Sequence, residues 1–294
     1  MMGVNSGDGR GNLTAYASVF DSDEVLQRDR DYSACSLGAN PTVSFACGGS
    51  STSAGGRFTD FSTYDFTVND ATSFRAWNGA LDQYNFGPLN HYQRPERRYS
   101  LGAMGHYEFG EHADVYTQLM FTDYESIAQI APGGNFFDTT SINCDNPLLP
   151  VANLADIGCD AGAIAAGDSV TMYIGRRNVE GGGRQQSFAN SSFRSVVGVR
   201  GDINEAWDYD VSAQYSSTTA DTSTLNYFVI DRISRALDVI DVGGTPTCRS
   251  VVDGSDPNCV PWNPFVPNGI TQDQLDYLQA KGIANCRLRV AFAG

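Results

Sequence analysis

The feature that most constrains the fold is a period-two alternation of apolar and polar residues over stretches of about ten residues or more. The clearest example places Trp207, Tyr209, Val211, Ala213 and Tyr215 on one face of an extended chain, and their polar neighbours on the other face. A segment of this kind can bury only one of its faces, as the strands of an antiparallel sheet do. The pattern therefore predicts an all-β framework.

The alternation predicts about five strands. Besides residues 207–218, the alternating stretches are residues 12–20, 98–109, 114–124 and 186–200. Strands of soluble proteins are usually ~5–6 residues long, whereas a strand tilted across a bilayer needs ~9–11. A soluble β-sandwich is the alternative, because its half-buried strands alternate in the same way. Strand length favours a partial antiparallel transmembrane β-barrel.

Aromatic residues stand at both ends of the two clearest apolar faces. Tyr99 and Phe109 are ten residues apart, which is roughly 33 Å along a strand. At a tilt of ~40° this distance projects to about 25 Å, the height of the apolar band in outer-membrane barrels. The side chains that we expect to contact lipid are Tyr99, Leu101, Tyr107, Phe109, Trp207, Tyr209, Val211 and Tyr215.

Short and long connections alternate between the predicted strands. Gly110-Glu111-His112 and residues 201–206 are short turns, and the predicted long loops are residues 21–97, 125–185 and 220–294. Loops beyond ~12–15 residues are uncommon in compact soluble domains. Short turns on one side with long loops on the other are typical of outer-membrane barrels. We therefore predict one partial barrel domain over residues 1–294, with the long loops outside the cell.

The seven cysteines fall in the long loops as three close pairs and one single residue. Each pair lies in a stretch rich in Gly, Asn, Pro and Asp, without CxxC or a histidine at metal-ligand spacing, which favours local disulfides over zinc. The predicted pairs are Cys35 with Cys47, Cys144 with Cys159 and Cys248 with Cys259, leaving Cys286 free. Disulfides indicate an oxidising compartment, yet the N-terminus is no signal peptide. We therefore expect a fragment of an exported protein.

Two short helices are predicted within the loops. Residues 231–240 place apolar residues on one helical face before Gly243-Gly244. In the second helix Thr271 is the N-cap, Gln274 completes a capping box and Gly282 is the expected stop. The tail from Cys286 to Gly294 fits neither a loop nor a strand, which predicts a truncated or frame-shifted reading after about Gly282.

The net charge and the absence of catalytic sequence motifs argue against several classes of function. With 19 basic and 34 acidic residues the net charge is −15, which opposes binding to nucleic acid. The three histidines, His91, His106 and His112, have no cysteine or paired carboxylate at ligand spacing, and the chain has no GxSxG, HExxH or P-loop motif. We predict no enzyme activity, no catalytic residue, no cofactor and no bound metal.

Several short motifs resemble the barrel segment of TonB-dependent outer-membrane receptors. In chain order they are Tyr84-Asn85-Phe86, Gln93-Arg94-Pro95-Glu96-Arg97-Arg98-Tyr99, Ala128-Gln129-Ile130-Ala131-Pro132, Arg177-Asn178-Val179-Glu180-Gly181-Gly182, Val199-Arg200-Gly201-Asp202-Ile203, Trp207-Asp208-Tyr209-Asp210, Arg235-Ala236-Leu237-Asp238-Val239, Cys248-Arg249-Ser250-Val251 and Asp256-Pro257-Asn258-Cys259-Val260-Pro261-Trp262-Asn263. Together they cover nearly the whole chain up to about Gly282.

The resemblance implies a place in the outer membrane of a Gram-negative bacterium. Such receptors have a 22-stranded barrel filled by an N-terminal plug, and import iron-siderophore complexes, cobalamin or carbohydrate with energy passed on by TonB. The implied partners are outer-membrane lipid, a nutrient of unspecified identity and the TonB complex, whose contact region has no counterpart here, like the plug and the closing strands. The alternative is a soluble or cell-surface β-rich module that binds a ligand or glycan.

Overall fold

The computed structural model describes every residue except Pro41, Val43, Glu111, Asn268 and Gly294. Strands make up 56% of the chain and helices 14%. The prediction of a mostly antiparallel β fold with disulfides is therefore confirmed.

Twenty strands, five α-helices and four 3-10 turns make up the described chain. The strands are β1 (Met2–Asn5), β2 (Gly11–Ser22), β3 (Val25–Leu26), β4 (Ser36–Asn40), β5 (Ser44–Gly48), β6 (Arg57–Thr59), β7 (Asp65–Asp70), β8 (Ser73–Ala76), β9 (His91–Gln93), β10 (Glu96–Gly110), β11 (Ala113–Pro132), β12 (Gly134–Phe136), β13 (Ser141–Asn143), β14 (Ser169–Thr171), β15 (Tyr173–Arg177), β16 (Gly183–Asn204), β17 (Trp207–Phe228), β18 (Val239–Val242), β19 (Thr245–Cys248) and β20 (Gln279–Ala293). The α-helices are α1 (Gly79–Asp82), α2 (Ala161–Ala166), α3 (Ile230–Leu237), α4 (Arg249–Val252) and α5 (Gln272–Leu278). The 3-10 turns are Gln27–Asp29, Val151–Asn153, Ala155–Ile157 and Val179–Gly181.

Seven strands form one antiparallel sheet, called the large sheet, in the order β1-β2-β10-β11-β16-β17-β20. The five predicted strands correspond to β2, β10, β11, β16 and β17, and each is longer than predicted. β1 and β20 are additional. Among the described residues no pairing joins β1 to β20, so the sheet has two open edges.

All short turns lie at one end of the large sheet and all long connections at the other. The turns are residues 6–10, 111–112 and 205–206, and the long connections are residues 23–95, 133–182 and 229–278. Glu111, within the first predicted turn, lies outside the described residues. The turn predicted at 201–206 is tighter than expected because β16 continues to Asn204.

The predicted loop boundaries at 125–185 and 220–294 are wrong. β11 continues to Pro132, β16 begins at Gly183 and β17 continues to Phe228. In β17 the first part of the added segment, Thr219 to Thr224, is almost entirely polar and carries no alternation, yet its backbone pairs with β16 and β20.

The tail is a strand, so its prediction as neither loop nor strand is also wrong. β20 pairs with β17 from Gln279 to Ala293, and Gly282 lies inside it opposite Thr224; Gly294 lies outside the described residues. Its alternation is offset by one residue from the rest of the sheet. Leu288 pairs with Thr218 and Val290 with Ser216, on the face that is polar elsewhere. A one-residue offset moves every side chain to the other face, which explains why the tail did not match the barrel pattern.

The three long connections fold together into one unit, which we call the loop domain. β6 of the first connection pairs with β15 of the second. The ring of Phe58 lies 5.1 Å from that of Phe265, which belongs to the third connection. Phe58, Ile174, Trp262, Phe265 and Leu278 are fully buried in one core. Burial of such side chains contributes about 1.5–3 kcal/mol each, so the connections form a packed domain and not separate loops.

The two predicted helices exist with different ends. α3 stops at Leu237 because Val239–Val242 forms β18, and Gly243 and Gly244 make the β18–β19 turn with φ of 63° and 89°. α5 has the predicted capping box: the N–H of Gln274 donates to Thr271 Oγ1, and the N–H of Thr271 donates to Gln274 Oε1. α5 ends at Leu278, four residues before the predicted stop.

Arg177 fastens the loop domain to the large sheet. Its side chain is buried, with 4% of the residue exposed. Nε donates to the carbonyl of Thr52 at 3.2 Å, Nη2 to Ser50 Oγ at 3.2 Å and Nη1 to the carbonyl of Pro132 at 2.9 Å. Ser50 and Thr52 belong to the first connection, whereas Pro132 ends β11. One guanidinium therefore joins two connections and a strand of the sheet.

Aromatic rings complete the surroundings of Arg177. Its guanidinium carbon lies 5.0 Å from the ring centroids of both Tyr84 and Phe136. Burial, and then the nearby charge of Arg184, lowers the pKa of Arg177 to about 10. At neutral pH the group is still charged, so it is a buried cation held by carbonyls and rings.

The structure contains the three disulfides that the spacing suggested, and they differ in burial. Cys144–Cys159 and Cys248–Cys259 lie in the loop-domain core, whereas Cys35–Cys47 joins the outer hairpin β4–β5 with Cys47 exposed. Cys286 is free and exposed.

We predict that Arg177→Lys lowers the free energy of unfolding by about 2–4 kcal/mol, because an ammonium cannot replace the fork of bonds and the buried carbonyls lose their donors. The control Arg235→Lys changes an exposed arginine that contacts the partly buried Asp256 at 3.0 Å, and it should cost under about 1 kcal/mol. Denaturant unfolding in detergent measures both; equal effects would contradict the role given to Arg177.

We also predict that the disulfides are reduced in a fixed order. Under native conditions a mild thiol should reduce Cys35–Cys47 first, because thiol exchange requires access to sulfur. The two buried bridges should react only when the loop domain opens. Alkylation followed by mass spectrometry at successive times measures this order, and reduction of all three bridges at one rate would refute it.

Candidate functional site

The eight side chains predicted to contact lipid lie on one face of the large sheet. The register pairs Tyr107 with Val115, Val115 with Val199, and Val199 with Val211 across four strands. The exposed fractions are 43% for Tyr99, 51% for Leu101, 67% for Phe109, 69% for Trp207, 55% for Val211 and 44% for Tyr215, while Tyr107 and Tyr209 are half-buried. We call this surface the apolar face.

The apolar face is wider than the predicted residues. Further exposed side chains on it are Leu13, Val19, Leu119, Phe121, Phe193 and Val197, with Met2 and Val4 of β1 at the edge. A contiguous apolar surface on this scale is rare on soluble monomers and marks contact with a membrane or another macromolecule.

The opposite face of the sheet, the polar face, carries ordered hydrogen bonds. Arg194 donates from Nε to Gln214 Oε1 at 3.0 Å and from Nη1 to Gln118 Oε1 at 3.2 Å, so it bridges three strands. Near the turns Asp114 accepts from Arg200 Nε at 2.9 Å. Such a surface is suited to water or to a polar partner.

Tyrosine rings cover glycines directly opposite them on the neighbouring strand. On the polar face Tyr16 covers Gly102 and Tyr116 covers Gly198; on the apolar face Tyr107 covers Gly11. A Cβ at any of these glycines would overlap the ring. Aromatic cover of a glycine protects the strand backbone and fixes the register.

The loop domain holds a polar cavity of about 670 Å³ between the second and third connections. One wall is the hairpin of β13 and β14 with the segment before it and the end of α2, and the other is α3 with the start of α4. The polar lining side chains include Asp138, Thr140, Ser141, Asn143, Asp145, Ser169, Ser234, Asp238 and Arg249. This volume is within the range of small-molecule sites.

Charges in the cavity are largely compensated. Arg249 Nε donates to Asp238 at 3.0 Å, and Arg249 Nη2 lies 3.5 Å from Asp145. The hydrogen bond to Asp238 raises the pKa of Arg249 further above its usual value. Asn143 is 6% exposed, and its Oδ1 has no hydrogen-bond partner. A buried acceptor without a partner costs stability.

The three histidines do not come together. His91 Nδ1 lies 3.0 Å from the carbonyl of Ile127, His106 pairs with Asp114 and His112 Nδ1 lies 2.8 Å from the carbonyl of Asp202. Throughout the described residues, no group of three or more His, Cys, Asp and Glu side chains is placed to hold a metal ion. No helix in the described part of the chain has both the length and the apolar character to cross a membrane.

No protein-family model, no curated protein and no solved structure matches this chain. Its function must therefore be argued from its own geometry. The cavity was not predicted from the sequence, because its walls come from segments about 70 to 100 residues apart. Asp238 and Arg249 fall within motifs of the resemblance, but no role was assigned to them.

We predict that Gly102→Ala destabilises the large sheet by about 1–3 kcal/mol, because the new Cβ overlaps the ring of Tyr16. In a Tyr16→Ala background the same substitution should be neutral or stabilising, since glycine is otherwise unfavourable in a strand. Unfolding of the four variants of this double-mutant cycle measures the coupling. A cost that persists without the ring would rule out this steric cause.

Proposed function

We propose that the large sheet is part of an outer-membrane β-barrel of the TonB-dependent receptor type, which imports a nutrient. The observation that carries the proposal is the slanted border of the apolar face. At the loop end this border is marked by one aromatic residue in each of four adjacent strands: Tyr99, Phe121, Phe193 and Tyr215.

The border crosses the strands obliquely. Tyr99 pairs with Asp123, so Phe121 lies two residues nearer the turns, opposite Leu101. Phe193 pairs with Phe121. Tyr215 pairs with Ser195, again two residues nearer the turns. The border therefore moves four residues over three strand-to-strand steps.

This slope corresponds to the strand tilt of a membrane barrel. Four residues span about 13 Å along the strands, and three steps span about 14 Å across them, which gives a tilt of about 43°. Strands of outer-membrane barrels tilt by ~35–45°. At this tilt the ten residues from Tyr99 to Phe109 project to about 24 Å, close to the ~25 Å apolar band. This tilt angle is calculated only from the residue pairing of the four border aromatics.

The slope also accounts for β20. Ala291 pairs with the border residue Tyr215, so Arg287 and Arg289 lie on the loop side of the border, opposite Thr219 and Ser217. In the proposed barrel these arginines stand outside the apolar band, where cations are tolerated. β20 does not need an apolar pattern there.

The arrangement of turns and connections supports the same proposal. Every short turn is at one end, on the periplasmic side of the proposed barrel, and the loop domain is at the other, facing outside. The polar face would line the interior. Open edges are not tolerated in lipid, so closure would need further strands. Outer-membrane lipid, a nutrient and the TonB complex are the proposed partners, and no enzyme activity is proposed.

One observation favours the alternative of a soluble or cell-surface binding module. The loop domain has its own core, two buried disulfides and a cavity, as an independent binding domain would. The exposed apolar face weighs against it, because in water that face would be prone to edge pairing and aggregation.

Cysteine labelling in cells tests the proposal. In a Cys286→Ala background the six disulfide-bonded cysteines stay protected, and single cysteines are placed at Leu101, Val211, Ser100 and Ser212. A lipid-soluble maleimide should label the first two positions and a water-soluble maleimide the last two, since the two pairs lie on opposite faces. The reverse pattern, or equal labelling by both reagents, would contradict a membrane-facing apolar face.

A further inference from the structure

Two phenylalanines in the loop domain have a backbone conformation that side chains rarely adopt. Phe61 has φ of 60° and Phe137 has φ of 66°. Their rings are 5.6 Å apart, and the ring of Tyr173 lies 5.1 Å from that of Phe61. We call these three residues the aromatic platform. Left-handed backbone at bulky residues is costly and tends to occur at functional sites.

The turn that carries Phe61 is held by side chains on both sides of it. The N–H of Phe61 donates to Thr59 Oγ1 at 2.8 Å. Asp60 Oδ1 accepts from the N–H groups of Ser62 at 2.8 Å and Thr63 at 2.7 Å. These bonds compensate for the unfavourable φ and keep the ring in place.

The turn of Phe137 is held in a comparable way. Its N–H donates to the carbonyl of Ile174 at 3.0 Å, and the N–H of Asp138 donates to Asn135 Oδ1 at 3.0 Å. Its ring lies on Gly175, where a Cβ would overlap it. Two separate connections therefore bring their strained residues to the same place.

Phe61 is supported from the side and remains open to solvent. Arg57 lies between two rings, with its guanidinium carbon 5.8 Å from the centroid of Phe61 and 5.2 Å from that of Trp77. Asp65 holds this arginine through two bonds of 2.8 and 2.6 Å. With these neighbours Phe61 is still 59% exposed. The surroundings hold the ring without covering it.

We propose that the aromatic platform binds a neutral saccharide, with one sugar ring stacked on Phe61. The proposal rests on the proposed function, because it names the class of nutrient that the loop domain captures. A sugar ring has an apolar C–H face that fits an aromatic ring and hydroxyl groups at its edge. A rigid, exposed aromatic ring such as that of Phe61 suits this ligand because little conformational entropy is lost on binding.

Charge favours a neutral ligand over an anion. Asp60 and Asp138 are the chain neighbours of Phe61 and Phe137, while the charges of Arg57 and Asp65 cancel in their ion pair. The net charge of −15 also repels anions such as phosphate esters or ferric chelates of carboxylates. Carboxylates are good acceptors for sugar hydroxyl groups.

The platform continues along the chain into the cavity of the loop domain. Phe137 is followed by Asp138, Thr139 and Thr140, which line that cavity. Asn143, Ser141 and Ser169 also line the cavity. A second sugar unit would find hydroxyl, carboxylate and amide groups there. Three rings are too few for a stable protein interface, which buries more than about 1,000 Å².

The test uses the full chain in detergent and a panel of neutral oligosaccharides of glucose, galactose, xylose and N-acetylglucosamine. Calorimetry should show binding of at least one of them. Phe61→Ala should weaken that binding about tenfold or more through loss of the stacked ring. The matched control is Phe45→Ala, which removes a phenylalanine that is 69% exposed in the same connection, and binding should stay within about twofold.

A second variant separates binding from folding. Phe61→Gly removes the ring and also relieves the left-handed backbone, so the thermal midpoint should stay equal or rise while binding is lost. Asp138→Asn should weaken binding without changing the midpoint, because this side chain is exposed and the amide oxygen of Asn can still accept from the N–H of Phe136.

Two outcomes would overturn the proposal: no oligosaccharide of the panel binds, or binding is the same in wild type, Phe61→Ala and Phe61→Gly. Neither of these two outcomes depends on whether the apolar face contacts a membrane. A chain that binds sugar through Phe61 but shows no lipid labelling would refute the barrel and keep the platform. A chain that shows lipid labelling but binds no sugar would refute the platform and keep the barrel.

Discussion

The three long connections can build one core only because all of them leave the large sheet at the same end. The antiparallel order with tight turns at the other end enforces this. Arg177 then ties the assembled loop domain to the end of β11 and to the first connection. The core draws buried residues from all three connections, so each connection packs against the others. The fold of the loop domain therefore depends on the register of the sheet.

This dependence relates stability to the proposed function. The strained turns of Phe61 and Phe137 come from different connections and meet only when the core has formed. A rigid core can hold residues in unfavourable backbone conformations, which isolated loops cannot do. The loop domain combines two buried disulfides with a cavity and an open ring. In the proposed receptor it would hold a binding surface in a fixed position above the barrel.

Local signals in the sequence predicted local structure well. Alternation located five strands, and the capping box of Thr271 and Gln274 located α5. The strand ends were missed because the added segments lose the alternation: in β17 Thr219 to Thr224 are almost all polar, and in β11 Ile127 and Ile130 fall on opposite faces. β20 was missed because its alternation is offset. The core was missed because Phe58, Ile174 and Phe265 are far apart in sequence and follow no period. Nothing local distinguishes the platform residues from other loop aromatics, since their meeting depends on tertiary structure.

The central claim is that the apolar face crosses a membrane with its strands tilted. Tryptophan depth measurement tests it directly. One tryptophan at a time replaces Tyr99, Phe121, Phe193 or Tyr215 in a Trp207→Phe background, and lipids brominated at known positions quench its fluorescence in the membrane-embedded protein. Trp77 and Trp262 remain in the loop domain, and their emission is measured in the Trp207→Phe parent and subtracted. Tilted strands place all four residues at one common depth, although their pairing rows differ by up to four residues. No quenching, or a depth difference of about 13 Å between Tyr99 and Tyr215 as untilted strands would give, would contradict it.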